Sequence, residues 1–486
     1  MNPPMRSSAQ VAPQAGVITT PRDSSKEYFA KRSLKKGAVS WFMLMSLGVA
    51  YVVSGDYSGW NYGMEYGGWM GMVIAFVVMG AMYLFMVFGL AEMSSAMPTA
   101  GAGYGFARRA MGKFGGALTG FAILMEYTIC PAAVSLFISA YIHNLGLFAD
   151  VPTVAILAVF YVLFVGINLA GVGEALKVIF GITVVAVIGL IVFAVGMAPH
   201  FDMANLFNIA PAAGGDLLFP NGLSGIMAAL PFGMWLFLAI EAVPLAAEES
   251  NNPKKDMPKG IIGAMLMLIL TGTMVVLLTA GGAGAAFAGQ ADAPLVDCLN
   301  AVGESGFATV VNYLGLAGLV ASFFSSIYAG SRQAFALSRA GYLPKSLSLT
   351  GKRKTPYMAL IVMYGISFAL AAVVQDGATL LNMGVFAACI SYAMLNLSHI
   401  ILRIKEPKME RGFKVPCGIV LTAISLLLSL FAIFSTFIVD AFVATCLLVV
   451  LAAFMVYFAV YARKHLVSNA PEEEFEALRK SEAELC

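Results

Sequence analysis

Three acidic residues stand within long apolar stretches of the chain and could bind a cation, an ammonium group or a proton. They are Asp56 in S-G-D-Y-S-G, Glu126 in L-M-E-Y and Glu241 in L-A-I-E-A. An ionisable side chain inside a membrane span is costly and usually faces a cavity or a partner. The alternatives are that Asp56 lies in a solvated external loop, and that Glu126 is a buried carboxylate paired with a neighbouring hydroxyl or amide.

Residues that disfavour a helix accompany two of these acids. Asp56 has a glycine on either side within three residues, and Pro231 and Gly233 precede Glu241. Glycine lowers helix stability, and proline removes a backbone donor. Backbone freed in mid-membrane is tolerated where it faces protein or a water-filled cavity, so we predict two broken helices that line a ligand site. Three aromatic residues near the second break are expected to line it too, the alternative being ordinary packing or an interfacial belt: Phe232, Trp235 and Phe237.

The composition indicates a membrane protein. Mean hydropathy is +0.84 and 12% of the residues are charged, which is about half the charged share of a soluble domain. The 486 residues have room for about twelve apolar spans of ~20 residues. We number the apolar segments 1 to 12 and predict an all-α polytopic protein in a lipid bilayer. The segments are 39–61, 69–96, 114–145, 152–170, 174–198, 223–246, 260–284, 308–334, 357–374, 378–402, 416–438 and 441–462.

Basic residues alternate between the connections that join these segments. The connections after segments 2, 6, 8 and 10 carry Lys or Arg, and Lys177 lies just past the connection after segment 4, whereas the connections after segments 1, 3, 5, 7, 9 and 11 carry neither. Because basic connections remain in the cytoplasm, we expect both termini to be cytoplasmic and the number of spans to be even. Glu92, at the end of segment 2, is a candidate partner for Arg108 or Arg109 just beyond it.

Several functional classes are excluded by what the chain contains. The six cysteines are scattered without a C-x-x-C motif, and none of the four histidines adjoins a plausible nucleophile and acid. These patterns indicate neither a metal site nor an enzyme. A net charge of +2 offers no surface for nucleic acid. We expect no catalytic residue, no metal and no cofactor.

The two predicted breaks fall in segments 1 and 6, which is the spacing of an inverted repeat. Breaks at matching places in two five-helix halves indicate a binding site at the membrane midplane. The predicted domains are a cytoplasmic tail (1–38), the first repeat (39–198), the second repeat (223–402), two peripheral helices (416–462) and a cytoplasmic C-terminal tail (463–486).

Three stretches carry a resemblance to a known group of proteins. They are P-T-A-G-A-G-Y-G-F-A at 98–107, F-L-A-I-E-A-V-P-L-A-A-E-E-S-N-N-P-K-K-D-M-P at 237–258 and S-R-Q-A-F-A-L-S-R-A-G-Y-L-P at 331–344. With them the chain resembles the amino acid–polyamine–organocation (APC) superfamily of secondary transporters. Within it, S-G-D-Y-S-G-W-N-Y-G at 54–63 and L-M-E-Y at 124–127 resemble the ethanolamine permease family.

The resemblance implies alternating access around a substrate held between the two breaks. In superfamily members that carry amino acids, amides of the first break hold the carboxylate and carbonyls of the second hold the amino group. The candidate substrate-binding residues are Ser54, Gly55, Asp56, Ser58, Gly59, Glu126, Phe232, Gly233, Trp235 and Phe237, and the candidate coupling or gating residues are Glu241 and Glu126.

One position departs from the proton-coupled relatives. They carry a lysine deep in segment 5, and the matching residue here is Ala186. We therefore expect any proton dependence to run through Glu126, Glu241 and Asp56.

The charge of Asp56 decides the expected substrate. A carboxylate placed 4 Å from it would be repelled by about 4 kcal/mol at an effective dielectric constant of ~20, whereas an ammonium would be attracted. We expect a permease of the cell membrane that moves ethanolamine. The alternatives are a choline-like amine bound by cation–π contacts and a zwitterionic or cationic amino acid.

Overall fold

A computed structural model describes residues 39–98, 101–146, 148, 150–170, 175–212, 215–351, 353 and 355–467. The predicted tail 1–38 and the end of the chain from 468 lie outside these residues. Regular structure within the described part is helical, with one isolated β-bridge between Val39 and Ser250.

Fifteen α-helices make up the framework of the described part. In chain order they are α1 Trp41–Val52, α2 Ser54–Tyr57, α3 Tyr62–Ala96, α4 Ala102–Asn144, α5 Thr153–Ala170, α6 Ala175–Met197, α7 Gly222–Trp235, α8 Pro253–Ala283, α9 Ala285–Gln290, α10 Pro294–Ala301, α11 Ser305–Arg339, α12 Tyr357–Val374, α13 Gly377–Lys405, α14 Val420–Val439 and α15 Ala441–Val460. A 3₁₀ helix, Ile240–Glu249, continues the segment that begins with α7.

The predicted apolar segments coincide with these helices. Eleven helical stretches among the described residues are long and apolar enough to cross a membrane. Segment 1 is not one of them, because it is divided into α1 and α2. The all-α polytopic fold is confirmed, and the count of twelve crossings stays a prediction.

Helix packing follows the pattern that an inverted repeat requires. If segments 1–5 correspond to segments 6–10, a contact between two segments must recur between their counterparts. Segment 1 packs on segment 7 and segment 6 on segment 2; segment 3 packs on segment 10 and segment 8 on segment 5. Three further contacts each join a segment to its own counterpart: segment 2 packs on segment 7, segment 3 on segment 8, and segment 4 on segment 9. Segments 1 and 6 therefore occupy equivalent places against the rest of the bundle.

Candidate functional site

The first break separates α1 from the short helix α2. Val53 joins the two helices, and after α2 the chain extends at Ser58 (φ −163°) and turns at Gly59 (φ 96°). Ser54 and Gly55 form the first turn of α2 and are buried. The N–H groups of a helix's first turn have no partner within their own helix, so in a buried region they need acceptors from outside it.

The second break lies further along the chain than predicted. Helix α7 runs through Pro231 and Gly233 and ends at Trp235. The interruption follows it, at 236–239, where Ala239 takes a left-handed conformation (φ 75°) before the 3₁₀ helix. Proline lacks a backbone N–H to donate, but its backbone angles are compatible with a helix. The helix therefore continues through Pro231 where packing supports it.

Carbonyl groups are left over at this second break. The oxygens of Leu236 and Leu238 accept no backbone hydrogen bond from the described residues. The first break presents the donors of a helix N-terminus, and the second presents unused acceptors.

The two breaks touch at Gly55. A Cβ atom built on this glycine would lie 2.5 Å from the carbonyl oxygen of Trp235 and 3.3 Å from the Cα atom of Leu236. A side chain at position 55 would therefore force the two backbones apart. Glycine is required here by the close approach.

A central chamber lies beside this contact. It has a volume of about 10 Å³, which is space for about one water molecule. Serines and apolar side chains line it, with no charged group among them: Tyr51, Val52, Ser54, Cys130, Val134, Trp235, Leu238, Ala239, Ser322 and Ser326. The chamber is nearly closed in this conformation.

A larger cavity, the outer vestibule, opens toward the predicted external face. Its volume is about 250 Å³, and its lining includes Tyr62, Phe137, His143, Asp292 and Asp376. The ring of Phe137 meets the ring of Trp235 edge to face at 6.0 Å. The Trp235 side chain lines the chamber, so these two rings lie between the chamber and the vestibule.

The indole of Trp235 is held against the first break. Its Nε1 donates to the carbonyl oxygen of Ser58 at 2.9 Å, and its side chain is nearly buried. A rotation of this ring would break a hydrogen bond between the two interrupted segments.

Two of the predicted acids come together in a carboxyl cluster behind the chamber. Tyr392 Oη lies 3.1 Å from Glu126 Oε1 and 2.8 Å from Glu241 Oε2. Tyr127 donates to Glu241 Oε1 at 2.8 Å, and Ser391 lies 3.4 Å from Glu126 Oε2. All of these side chains are buried. No Lys, Arg or His in the described part of the chain pairs with either glutamate.

The structure places the third acid, Asp56, away from the chamber. Its side chain is 1% exposed and is not part of the chamber lining. Neither carboxylate oxygen has a hydrogen-bond partner among the described residues. The nearest hydroxyl belongs to Thr271 of α8, and it donates to the carbonyls of Met267 and Leu268.

The remaining candidate residues have varied surroundings. Ser58 donates to the carbonyl oxygen of Asp292, at 2.9 Å. Gly59 adjoins the indole of Trp235. Three residues of segment 6 pack against α3, away from the chamber: Phe232 stacks on Tyr66, Gly233 abuts Ala75, and Phe237 lies between Phe76 and Tyr83.

Sequence reasoning missed several contributors to the site. Tyr392 bridges the two glutamates, and Ser322 bonds to Ser54 at 2.7 Å and to the carbonyl of Tyr51 at 2.8 Å. Both are polar residues within apolar segments, which was the available signal. Ala186 faces the first break, as the departure from the lysine pattern implied, and its carbonyl accepts a hydrogen bond from Tyr57 at 2.6 Å.

Comparison with known proteins gives a consistent result over most of the chain. The family model described as amino acid permease matches residues 42–472. The branched-chain amino acid permease BcaP of Bacillus subtilis is 30% identical over 426 residues, which is 82% of this chain and 87% of that protein. The methylthioribose transporter of Bacillus subtilis is 26% identical over 82% of this chain and 87% of its own. The aromatic amino acid transport protein AroP of Escherichia coli is 26% identical over 70% of this chain and 76% of its own.

Proposed function

The chain belongs to the amino acid permease family, and we propose that it moves a small zwitterionic amino acid across the cell membrane by alternating access, with both termini in the cytoplasm. As a member of that family it is a transporter and not an enzyme. The substrate, its site and the orientation of the termini are the proposal.

The backbone groups at the two breaks carry the proposal. An amino acid zwitterion presents a carboxylate, which needs donors, and an ammonium, which needs acceptors. The amides of Ser54 and Gly55, in the first turn of α2, supply donors, and the carbonyls of Leu236 and Leu238 supply acceptors. Backbone groups fixed in a water-excluded pocket bind charge without any reorganisation.

The chamber lining supports an apolar substrate side chain. Val52, Val134 and Leu238 line it, and no charged side chain does so. A cationic side chain would lose its hydration without gaining a partner in the lining. The relative named as a branched-chain amino acid permease fits this chemistry. The substrate named for the methylthioribose transporter does not fit this chemistry. The proposal therefore depends on the lining of the chamber more than on the names of the relatives.

Transport in proteoliposomes tests the proposal. The purified full chain would be reconstituted, and uptake of labelled alanine and leucine would be measured with and without imposed proton and sodium gradients. We expect counterflow of at least one of these amino acids. The unlabelled amino acid should compete with the labelled one, and the corresponding amino acid amide should compete less well. Absence of counterflow for every neutral amino acid would contradict the proposal.

Ethanolamine is the second candidate substrate, and one placement favours it. Glu126 stands one helical turn before Cys130, which lines the chamber. An opening of the chamber by one turn would bring an ammonium to the carboxyl cluster, and a substrate without a carboxylate would not need the amides. Competition assays distinguish the two candidates. If ethanolamine is the substrate, unlabelled ethanolamine should inhibit uptake and alanine should not. Choline serves as the third competitor, because a choline-like amine would need aromatic faces more than backbone donors.

A further inference from the structure

We propose that Glu126 and Glu241 share a single proton and that Tyr392 transmits the state of that proton to the second break. The inference rests on the proposed transport function and adds its coupling mechanism. It assigns a role to Tyr392, which is buried and is not part of the chamber lining.

The hydroxyl of Tyr392 has fewer hydrogen atoms to donate than the two glutamates would need. The hydroxyl of Tyr392 lies within hydrogen-bond distance of both glutamates, at 3.1 Å and 2.8 Å. A phenol has one hydrogen to donate, so it cannot satisfy two carboxylates at once. One carboxyl oxygen of each glutamate therefore lies close to the same phenol oxygen. Two carboxylates held this close repel each other unless they share a proton.

The described residues around the cluster offer no positive charge that could replace this proton. The titratable side chains that face the cluster are phenols and thiols from four segments: Tyr51 of segment 1, Tyr83 of segment 2, Tyr127 and Cys130 of segment 3, and Tyr392 and Cys389 of segment 10. Two adjacent carboxylates in a buried, uncharged setting repel each other. One shared proton removes this repulsion and leaves one net negative charge.

Tyr392 connects the cluster to the second break. The amide of Ala239 donates to Tyr392 Oη at 3.4 Å. Ala239 is the left-handed residue of the break and lines the chamber. A phenol oxygen accepts from this amide and from a protonated carboxyl at the same time.

Loss of the shared proton changes that arrangement. When the proton leaves to water, the Tyr392 hydroxyl must donate to one carboxylate, and its oxygen no longer accepts from the other. The hydrogen bonds around Ala239 then rearrange, and the chamber wall moves with them. One proton taken up from water on one side and released to water on the other would balance each cycle.

The test separates coupling from transport. Wild type and variants would be reconstituted, and two quantities would be measured: substrate counterflow, which needs no proton gradient, and accumulation driven by an imposed pH gradient. In Tyr392→Phe we expect proton-driven accumulation to fall by about tenfold or more, because a buried hydrogen bond to a charged group is lost. Counterflow should be retained within about threefold.

The double variant Glu126→Gln/Glu241→Gln provides a second route if Tyr392→Phe fails to fold. It should abolish proton-driven accumulation, and either single substitution should do nearly as much, because two groups that share one proton act as a unit. The matched control is Tyr161→Phe, which removes a buried phenol that bonds to Ser367 at 2.7 Å and to neither glutamate. It should leave both quantities unchanged.

Three outcomes are decisive. Unaltered proton-driven accumulation in Tyr392→Phe or in the double variant overturns the inference. Wild-type counterflow without any response to pH overturns the inference but leaves the proposed function standing. Absence of wild-type counterflow for all tested substrates overturns the proposed function itself.

Discussion

Neighbouring residues of the first break face different elements. Gly55 lies against the backbone of Trp235, Asp56 is directed toward α8, and Tyr57 reaches the carbonyl of Ala186 on α6. Successive residues of a short helix are rotated by about 100° relative to each other. A four-residue helix can therefore make contact with three neighbours, and each position tolerates different changes.

Gly55→Ala should abolish transport while leaving the protein folded. Its Cβ atom would lie 2.5 Å from the Trp235 carbonyl oxygen, so the two breaks must separate. We expect uptake to fall by about tenfold or more, since overpacking a tight contact typically costs ~1–3 kcal/mol. Gly166→Ala is the control, because a Cβ atom there would have open space. Equal uptake by the two variants would contradict the close contact.

Asp56→Asn should raise thermal stability. Both carboxylate oxygens are buried without a partner in the described part of the chain. Asparagine keeps the size and polarity of the side chain but carries no charge, and an unpaired buried charge costs more than an unpaired neutral group, so we expect a gain of about 1–3 kcal/mol. A thermal shift assay on the purified variant would show a higher melting temperature than wild type. Glu410→Gln, at a carboxylate whose side chain is 85% exposed, should show no change.

The same variant also bears on the substrate. If ethanolamine binds through Asp56, the asparagine variant should lose ethanolamine binding by about 2–5 kcal/mol. A zwitterionic amino acid held by backbone groups should be affected little. A lower melting temperature together with lost ethanolamine binding would restore Asp56 as a substrate ligand.

Two contacts between elements hold the ends of the bundle together. At the predicted cytoplasmic side, Glu92 of α3 binds two arginines, and its Oε1 lies 2.8 Å from Arg403 Nε and 2.7 Å from Arg411 Nε. The expected pairing of Glu92 with Arg108 or Arg109 was wrong. Glu92 Oε2 also accepts from the amide of Val415 at 2.7 Å. This one carboxylate ties the connection between α13 and α14 to α3.

Glu92→Gln should destabilise the protein by about 3–5 kcal/mol, because it leaves the buried Arg411 and the partly exposed Arg403 without their counter-charge. The glutamate side chain is 1% exposed. The comparison is Glu406→Gln, which removes the partner of Arg109 at a site where the two side chains are 17–20% exposed. We expect a clearly smaller loss there, measured by thermal unfolding in the same detergent. Equal losses would show that burial does not govern these pairs.

At the predicted external side, the hairpin of α9 and α10 is fastened to the first break. Asn61 Nδ2 donates to the carbonyls of Ala288 and Ala291, each at 2.8 Å. Ser58 donates to the carbonyl of Asp292, which lines the outer vestibule. Movement of the first break would therefore move the hairpin at the vestibule.

Asn61→Ala should loosen this hairpin specifically. Two carbonyls lose their donor, and local opening becomes easier where backbone contacts are few. Hydrogen exchange followed by mass spectrometry should be faster over 285–293 and unchanged over α12. Unchanged exchange over 285–293 would show that the hairpin is held by its apolar contacts instead.

The whole molecule is a bundle whose contacts repeat after five segments and whose basic connections lie on one predicted side. Cys417 is an exposed free cysteine in the connection between α13 and α14, and this connection is basic. It offers a native probe of the orientation in the membrane.

A membrane-impermeant maleimide should label Cys417 in inside-out vesicles and not in intact cells, because the positive-inside rule places this connection in the cytoplasm. Mass spectrometry of the labelled peptide identifies the site, with Cys417→Ser as the control. External protease should likewise spare 251–259 and 345–354 in intact cells. Labelling of Cys417 from outside would reverse the topology.

The sequence by itself determined the class of the protein, the bounds of most helices and the two interrupted segments. Hydropathy depends on local composition and must persist over a span of about 20 residues, so it can be read without knowing any partner. The family motifs at 98–107, 237–258 and 331–344 are local in the same way.

Tertiary structure decided which atoms meet. Pro231 predicted a break at its own position, but in the folded protein the break lies at 236–239. Asp56 lies in the first break but does not line the chamber. The bridge from Glu126 to Glu241 through Tyr392 joins residues that are 266 and 151 positions apart. Side-chain direction and long-range packing are not encoded in any short window of sequence, because a rotation of one residue along a helix redirects a side chain by about 100°.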